Sequence, residues 1–179
     1  MSYWHKMRGA TRGGPPRVSN EEVFWSWVGA FLGIAALALV GSLFFAGTDR
    51  LLTVASLGAS AVLIFGANRS PLAQPRNVLG GHVLSALVGV AAFKLLRGQP
   101  WLAEAVAVAT AIALMHLTRT LHPPGGATAL IAVGGGDAIH DLGFSYVLAP
   151  VGLGAAILVL VGLLVNNIPP SRRYPEIWF

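Results

Sequence analysis

The sequence has no cysteine, which excludes disulfides, thiolate metal sites and redox pairs. Charge is nearly as scarce: Asp, Glu, Lys and Arg make up 11% of 179 residues, where soluble domains run at about 25%. No Walker loop, Gly-x-Ser-x-Gly elbow or His-Glu-x-x-His pair occurs, so ATP use, a serine hydrolase and a zincin are not indicated. The first residues hold no apolar signal core, only Lys6, Arg8, Arg12 and Arg17 around a Gly-Gly-Pro-Pro breaker. The net charge of +5 is confined to the ends and to short gaps, which forms no nucleic-acid face. No metal, cofactor or catalytic residue is expected.

What is abundant is apolar: 55% of residues are hydrophobic, mean hydropathy is +0.68, and there are 22 glycines. Long apolar runs with many small residues describe helices packed closely in lipid. Six runs stand out, Val23–Thr48, Leu51–Asn68, Val78–Leu96, Trp101–Thr118, a short one around Ala127–Val133 and Tyr146–Ile168. The second barely reaches spanning length and the fifth, opened by His122-Pro123-Pro124-Gly125-Gly126, falls short of it. The expected fold is therefore an all-α membrane protein of six segments, two of them short, broken or re-entrant. Residues 1–22 would be a basic cytoplasmic tail, 23–168 the transmembrane domain and 169–179 a cytoplasmic C-terminal tail.

Six passes put nine cations inside, Lys6, Arg8, Arg12, Arg17, Arg69, Arg76, Arg119, Arg172 and Arg173, against Arg50, Lys94 and Arg97 outside. Four passes with re-entrant second and fifth segments give eight against four, so positive charge favours six. Either count leaves both termini in the cytoplasm of a cell (inner) membrane.

A shift of 68 lays Gly58-Ala59-Ser60-Ala61 on Gly126-Ala127-Thr128-Ala129, and a shift of 64 lays Val83-Leu84-Ser85-Ala86 on Val147-Leu148-Ala149-Pro150. The chain reads as two three-segment repeats, 23–96 and 101–168. An odd number of passes in each inverts the second, and paired short Gly-interrupted segments point to a midplane binding site.

In that site the Pro-Pro-Gly-Gly turn would expose the amides of Gly125 and Gly126 at a positive helix end, with the Thr128 hydroxyl and His122 beside them. Gly58 and Ser60 would offer the same surface from the other half, so two helix N-termini converge on a small anion. Arg76 and Arg119 are expected at the inner mouth and Arg50 at the outer one. His82, His116 and His122 are the candidates for proton coupling, since imidazole alone titrates near neutrality. Their spacing suits no metal. The competing readings are a packing seam with a structural kink, a non-transporting oligomeric scaffold and an intramembrane enzyme using His122 as base. Glycine-lined faces suggest a homodimer.

At Leu121-His122-Pro123-Pro124-Gly125-Gly126-Ala127-Thr128-Ala129-Leu130 the chain resembles the HPP family of integral membrane proteins, named for its His-Pro-Pro tripeptide. Leu57–Leu63 and Ser70–His82 are similar to the family's other two signature stretches, and the likeness runs from about Trp25 to Val165. The family is usually given four transmembrane segments, and its chloroplast and cyanobacterial members are associated with nitrite transport. The resemblance implies a nitrite or similar small-anion permease. Some members carry a C-terminal regulatory domain, which a chain closing at Phe179 is expected to lack.

Overall fold

The computed structural model describes Met7, Gly14 and residues 16–43 and 47–178, with the side chains of 47–52 left out of the description. Arg50, Lys6, Arg8 and Arg12 thus lie outside the described side chains, and nothing below rests on them. Among the described residues every regular element is helical.

Helix α1 spans Asn20–Gly41, α2 Gly47–Ala61, α3 Pro75–Leu95, α4 Pro100–Leu117, α5 Pro124–Gly134, α6 Asp137–Leu142 and α7 Leu153–Val165. A five-residue π turn, Val62–Gly66, continues α2, and a six-residue one, Val147–Gly152, kinked at Ala149, leads into α7. Four helices are long and apolar enough to cross a membrane: α1, α3, α4 and the bent Val147–Val165. Thr53–Gly66 and Pro124–Gly134 are shorter apolar helices. The long runs expected from sequence are therefore present, and the two expected to be short are short. α6 was not expected; the runs that frame it are polar and glycine-rich.

Helix α1 begins where Ser19 accepts a hydrogen bond from the Glu22 amide at 3.1 Å, with Glu21 and Glu22 suiting the positive helix end. It buries only Gly29, Gly33 and Leu37, a stripe at four-residue spacing. Phe65 of the π turn and Leu158 of α7 fill the grooves over the two glycines. Val23, Phe24, Trp27, Phe31 and Leu39 point outward, as lipid-facing side chains would. Helix α4 is built alike, burying Ala103, Ala107, Ala111 and Met115 on one face.

The centre of the bundle is α3, packed against α4, α5 and the second π turn. Its small residues set that position. A side chain at Gly89 would meet the Ala129 carbonyl of α5 at 2.6 Å, and one at Gly81 would meet His122 Cβ at 2.6 Å. α5 therefore rides directly on α3 along Gly81, Ser85 and Gly89.

One end of the bundle gathers the start of α1, the end of the first π turn, the start of α3, and the ends of α4 and α7. Ser26 donates to the Phe65 carbonyl at 2.8 Å, Asn166 to the Ile64 carbonyl at 2.9 Å, and Arg76 to the Thr118 carbonyl at 2.9 Å. The last of these places a cation on the negative end of α4. Residues 169–178, most of the expected C-terminal tail 169–179, fold onto this end. Arg172 is buried in an ion pair with Glu22 at 2.8 Å, and Tyr174 donates to the Ala73 carbonyl at 2.8 Å. Burial pushes the Tyr174 phenol up, so it stays a neutral donor.

Candidate functional site

Between the two short segments lies a closed chain of polar side chains. Helix α2 contributes Ser60, α3 His82, the stretch before α5 His122, and α5 Thr128, all buried completely. Ser60 Oγ is 2.7 Å from His82 Nε2 and 2.8 Å from His122 Nε2. His82 Nδ1 is 2.7 Å from Thr128 Oγ1, and His122 Nδ1 is 2.8 Å from the Leu72 carbonyl oxygen. The two rings are edge-on with centroids 5.0 Å apart.

These distances fix where each hydrogen sits when both rings are neutral. A carbonyl only accepts, so His122 carries its hydrogen on Nδ1 and donates to Leu72, leaving Nε2 as an acceptor. Ser60 therefore donates to His122. Its oxygen accepts from His82 Nε2–H, which leaves His82 Nδ1 to accept from Thr128. Every polar atom is satisfied, and one ordering of hydrogens runs from α5 through α3 and α2 to a short 3-10 turn, Pro71–Ala73, that precedes α3. Among the described residues, no buried side-chain nitrogen or oxygen lacks a partner.

The approach of His122 to His82 depends on how α4 ends. Arg119 adopts φ 58°, while its amide bonds the His116 carbonyl at 3.2 Å and the Thr120 amide bonds the Met115 carbonyl at 2.9 Å. This is the helix stop in which glycine normally takes the left-handed position. The chain then runs along α3, Thr120 over Gly80 and His122 over Gly81, before Pro124 starts α5. Arginine at that φ costs roughly 1 kcal/mol. Arg119→Gly should consequently raise the melting temperature in a thermal denaturation of the detergent-solubilised protein, while stripping one guanidinium from the bundle end.

That guanidinium lines an open cleft of about 230 Å³ with Arg76, Asn77, Gln74, Pro71, Ile177 and Trp178. Pro71 precedes Leu72, whose carbonyl ends the buried chain, so cleft and chain are one residue apart. Arg76 and Arg119, both expected at the inner mouth, thus line one cleft at this end of the bundle.

Several expectations need correction. The amides of Gly125 and Gly126 are not free for an anion: they donate to the His122 carbonyl at 2.9 Å and the Pro123 carbonyl at 3.0 Å within the turn itself. Gly125 is needed for closeness, since a side chain there would meet Ser85 Oγ at 2.7 Å and the Gly81 carbonyl at 3.0 Å. Gly58 and Gly126 have room around them, with nothing within 4 Å of a side chain at the first and only Val108, at 3.8 Å, near the second. Two helix N-termini do not converge either, because Ser60, which meets His122 ahead of α5, is the penultimate residue of α2. His116 is exposed at the end of α4 and takes no part, Met115 being the residue that faces inward. No group of three metal-ligating side chains occurs among the described residues.

Of the expected residues, the structure brings together Ser60, His122 and Thr128 of the anion set and His82 of the proton-coupling candidates. Sequence reading missed the Leu72 carbonyl and Tyr146, whose hydroxyl donates to the Thr128 carbonyl at 3.4 Å. The repeat register carried a signal for the second. The sequence shifts of 68 and 64 pair Ser60 with Thr128 and His82 with Tyr146, and Ser60 and Thr128 both bond His82.

A helical bundle with lipid-suited outer faces and a fully buried hydrogen-bonded core cluster defines a multi-pass integral membrane protein. More narrowly, the chain belongs to the HPP family, whose transmembrane region matches residues 15–175. A transmembrane protein of Dictyostelium discoideum is 42% identical over the whole chain, which covers 58% of that relative. A second from the same organism is 43% identical over 92% of the chain and 59% of its own length. The chain thus spans about three fifths of the length of these relatives. No solved structure matches it.

Proposed function

We propose that the chain is a permease, transporter or channel, for a small monovalent anion, nitrite first, which it moves without chemical change. The observation that carries this reading is the buried Ser60–His82–His122–Thr128 cluster, set between the two short segments and one residue from a cleft with two arginines. A scaffold has no use for such a cluster, because an apolar core of equal shape is as stable. An enzyme using His122 as base is the weaker reading, since no carboxylate bonds to either ring among the described residues.

Six passes, arranged as two inverted repeats with both termini cytoplasmic, suit this reading best. The C-terminal half of α2 and the start of α5 run past each other at Ser60. Arg17, Arg69, Arg76, Arg119, Arg172 and Arg173 lie on segments gathered at one bundle end, whereas Lys94 and Arg97 close α3 at the other, as expected if the first end is inside. A second copy would find small exposed residues, Ala55 and Ala59, on the outer face of α2.

Nitrite is a bent anion that a few O–H and N–H donors can hold. The cluster is closed against itself, so an entering anion takes over donors now spent on neighbours, the Thr128 hydroxyl among them. A flux panel of nitrite, nitrate, formate and chloride on purified protein in vesicles tests the reading. Thr128→Val should lower anion affinity by about 0.5–1.5 kcal/mol, roughly two- to tenfold, and Thr128→Ser should retain most of it. Absence of flux for all four ions, or unchanged flux in Thr128→Val, would overturn the assignment.

A further inference from the structure

Ser60 stands between two imidazoles and owns one hydroxyl hydrogen. That single hydrogen limits what the pair can hold. In the neutral ordering it is given to His122, while His82 donates to the serine oxygen. Adding a proton to His82 Nδ1 turns that nitrogen into a donor toward Thr128 Oγ1, and the Thr128 hydroxyl must then find another acceptor. One is at hand: the Pro124 carbonyl lies 3.5 Å from Thr128 Oγ1, one helical turn back. Adding the proton to His122 Nε2 gives the same outcome at Thr128. The serine hydroxyl swings from His122 to His82, and His82 shifts its own hydrogen to Nδ1.

The two protonated arrangements interconvert by two linked hops, His82 Nε2–H to Ser60 Oγ and the Ser60 hydroxyl hydrogen to His122 Nε2, after which the hydroxyl points at His82. A second proton has no place. With hydrogen on both Nε2 atoms the serine oxygen accepts twice and its hydrogen has no partner in the cluster, while two cations stand with ring centroids 5.0 Å apart.

Bonded to the rings are Ser60 from α2, Thr128 from α5 and the Leu72 carbonyl from the 71–73 turn, with Gly81 of α3 packed on His122 Cβ and the Tyr146 phenol held on the Thr128 carbonyl. No guanidinium, ammonium or carboxylate bonds to either imidazole among the described residues.

We propose that His82 and His122 form a one-proton store bridged by Ser60, whose filling releases the Thr128 hydroxyl from His82, and that this proton crosses with the anion. The second half rests on the permease reading; the first does not. One proton and one monovalent anion make the cycle electroneutral, with the imidazolium as the anion's counter-charge in the occluded core. The proton arrives from solvent on one side and leaves to solvent on the other, and no bond beyond N–H and O–H is made or broken.

Two measurements on the full chain in lipid test it. Nitrogen NMR of isotope-labelled histidine should show His122 as the Nδ1–H tautomer and His82 as the Nε2–H tautomer at high pH. On acidification both should respond in one shared transition that takes up one proton, and Ser60→Ala should split this into separate responses. Two independent transitions in the wild-type protein, the opposite tautomers, or a shared transition unchanged by Ser60→Ala would overturn the store. In vesicles, nitrite and formate uptake above the protein-free background should acidify the lumen one proton per anion and ignore an imposed membrane potential. Uptake that follows the potential would sink the coupling. A shared transition without flux of any anion defeats the permease reading and leaves the store; flux without a shared transition does the reverse.

Discussion

Gly89→Val should leave little folded protein. The added Cβ would stand 2.6 Å from the Ala129 carbonyl oxygen, 2.7 Å from Ala132 Cβ and 3.0 Å from Ala129 Cα. Two of these atoms are backbone of α5 and cannot swing aside. α5 would have to lift off α3, and overpacking of that kind costs about 3 kcal/mol or more. Because Thr128 sits beside Ala129, the same displacement would pull Thr128 Oγ1 from His82 Nδ1. The measurement is the yield of monodisperse protein in detergent and its melting temperature, with Gly126→Ala as the contrast. Gly126 has Val108 at 3.8 Å as its nearest neighbour, an ordinary contact, so its variant should fold and melt close to the parent. Equal melting temperatures for the Gly89 variant and the parent would contradict the packing described for α3 and α5.

Arg172→Ala should be nearly as damaging, for an electrostatic reason. The Arg172 side chain is 1% exposed and pairs with Glu22 at 2.8 Å. It also donates to Asn166 Oδ1 at 3.0 Å, the Glu22 carbonyl at 2.7 Å and Ser26 Oγ at 2.6 Å. Removing one partner of a buried pair costs about 3–5 kcal/mol, since the groups left behind keep their desolvation and lose their bonds. Glu22 is a quarter exposed, so water recovers part of that loss and the lower figure applies. Arg172→Met with Glu22→Gln should melt higher than Arg172→Ala alone, because no carboxylate is then stranded. A double variant no more stable than the single one would show that packing, not charge, is what Arg172 supplies.

The long helices were legible because apolar length and charge-free runs are local properties. The broken fifth segment was legible for the same reason: Pro123-Pro124 cannot continue a helix, and Gly134-Gly135-Gly136 closes it. The cluster was legible only in pieces. Ser60, His122 and Thr128 stood out through the repeat and the His-Pro-Pro stretch, but their bonds join residues 22, 62 and 46 positions apart, and no local pattern encodes that. The amide cradle failed because a Pro-Pro-Gly-Gly turn spends its glycine amides on its own carbonyls. Gly81 lies inside the Ser70–His82 signature stretch with nothing to mark its role, since a glycine beside a histidine looks the same whether it faces lipid or another backbone. Arg119 gave no hint of a left-handed backbone, a position where glycine is the usual residue.

The C-terminal strap and the buried histidines share a single short lever. Tyr174 holds the Ala73 carbonyl, and Gln74 Oε1 accepts from the Glu176 amide at 2.8 Å and the Ile177 amide at 3.3 Å. Ala73 and Gln74 directly follow Leu72, whose carbonyl fixes the His122 tautomer. Tension on the strap is therefore borne by the same peptide units that hold the imidazole in register. Rotating the Leu72 carbonyl away would free His122 to carry its hydrogen on either nitrogen, and the one-way ordering of hydrogens would lose its anchor.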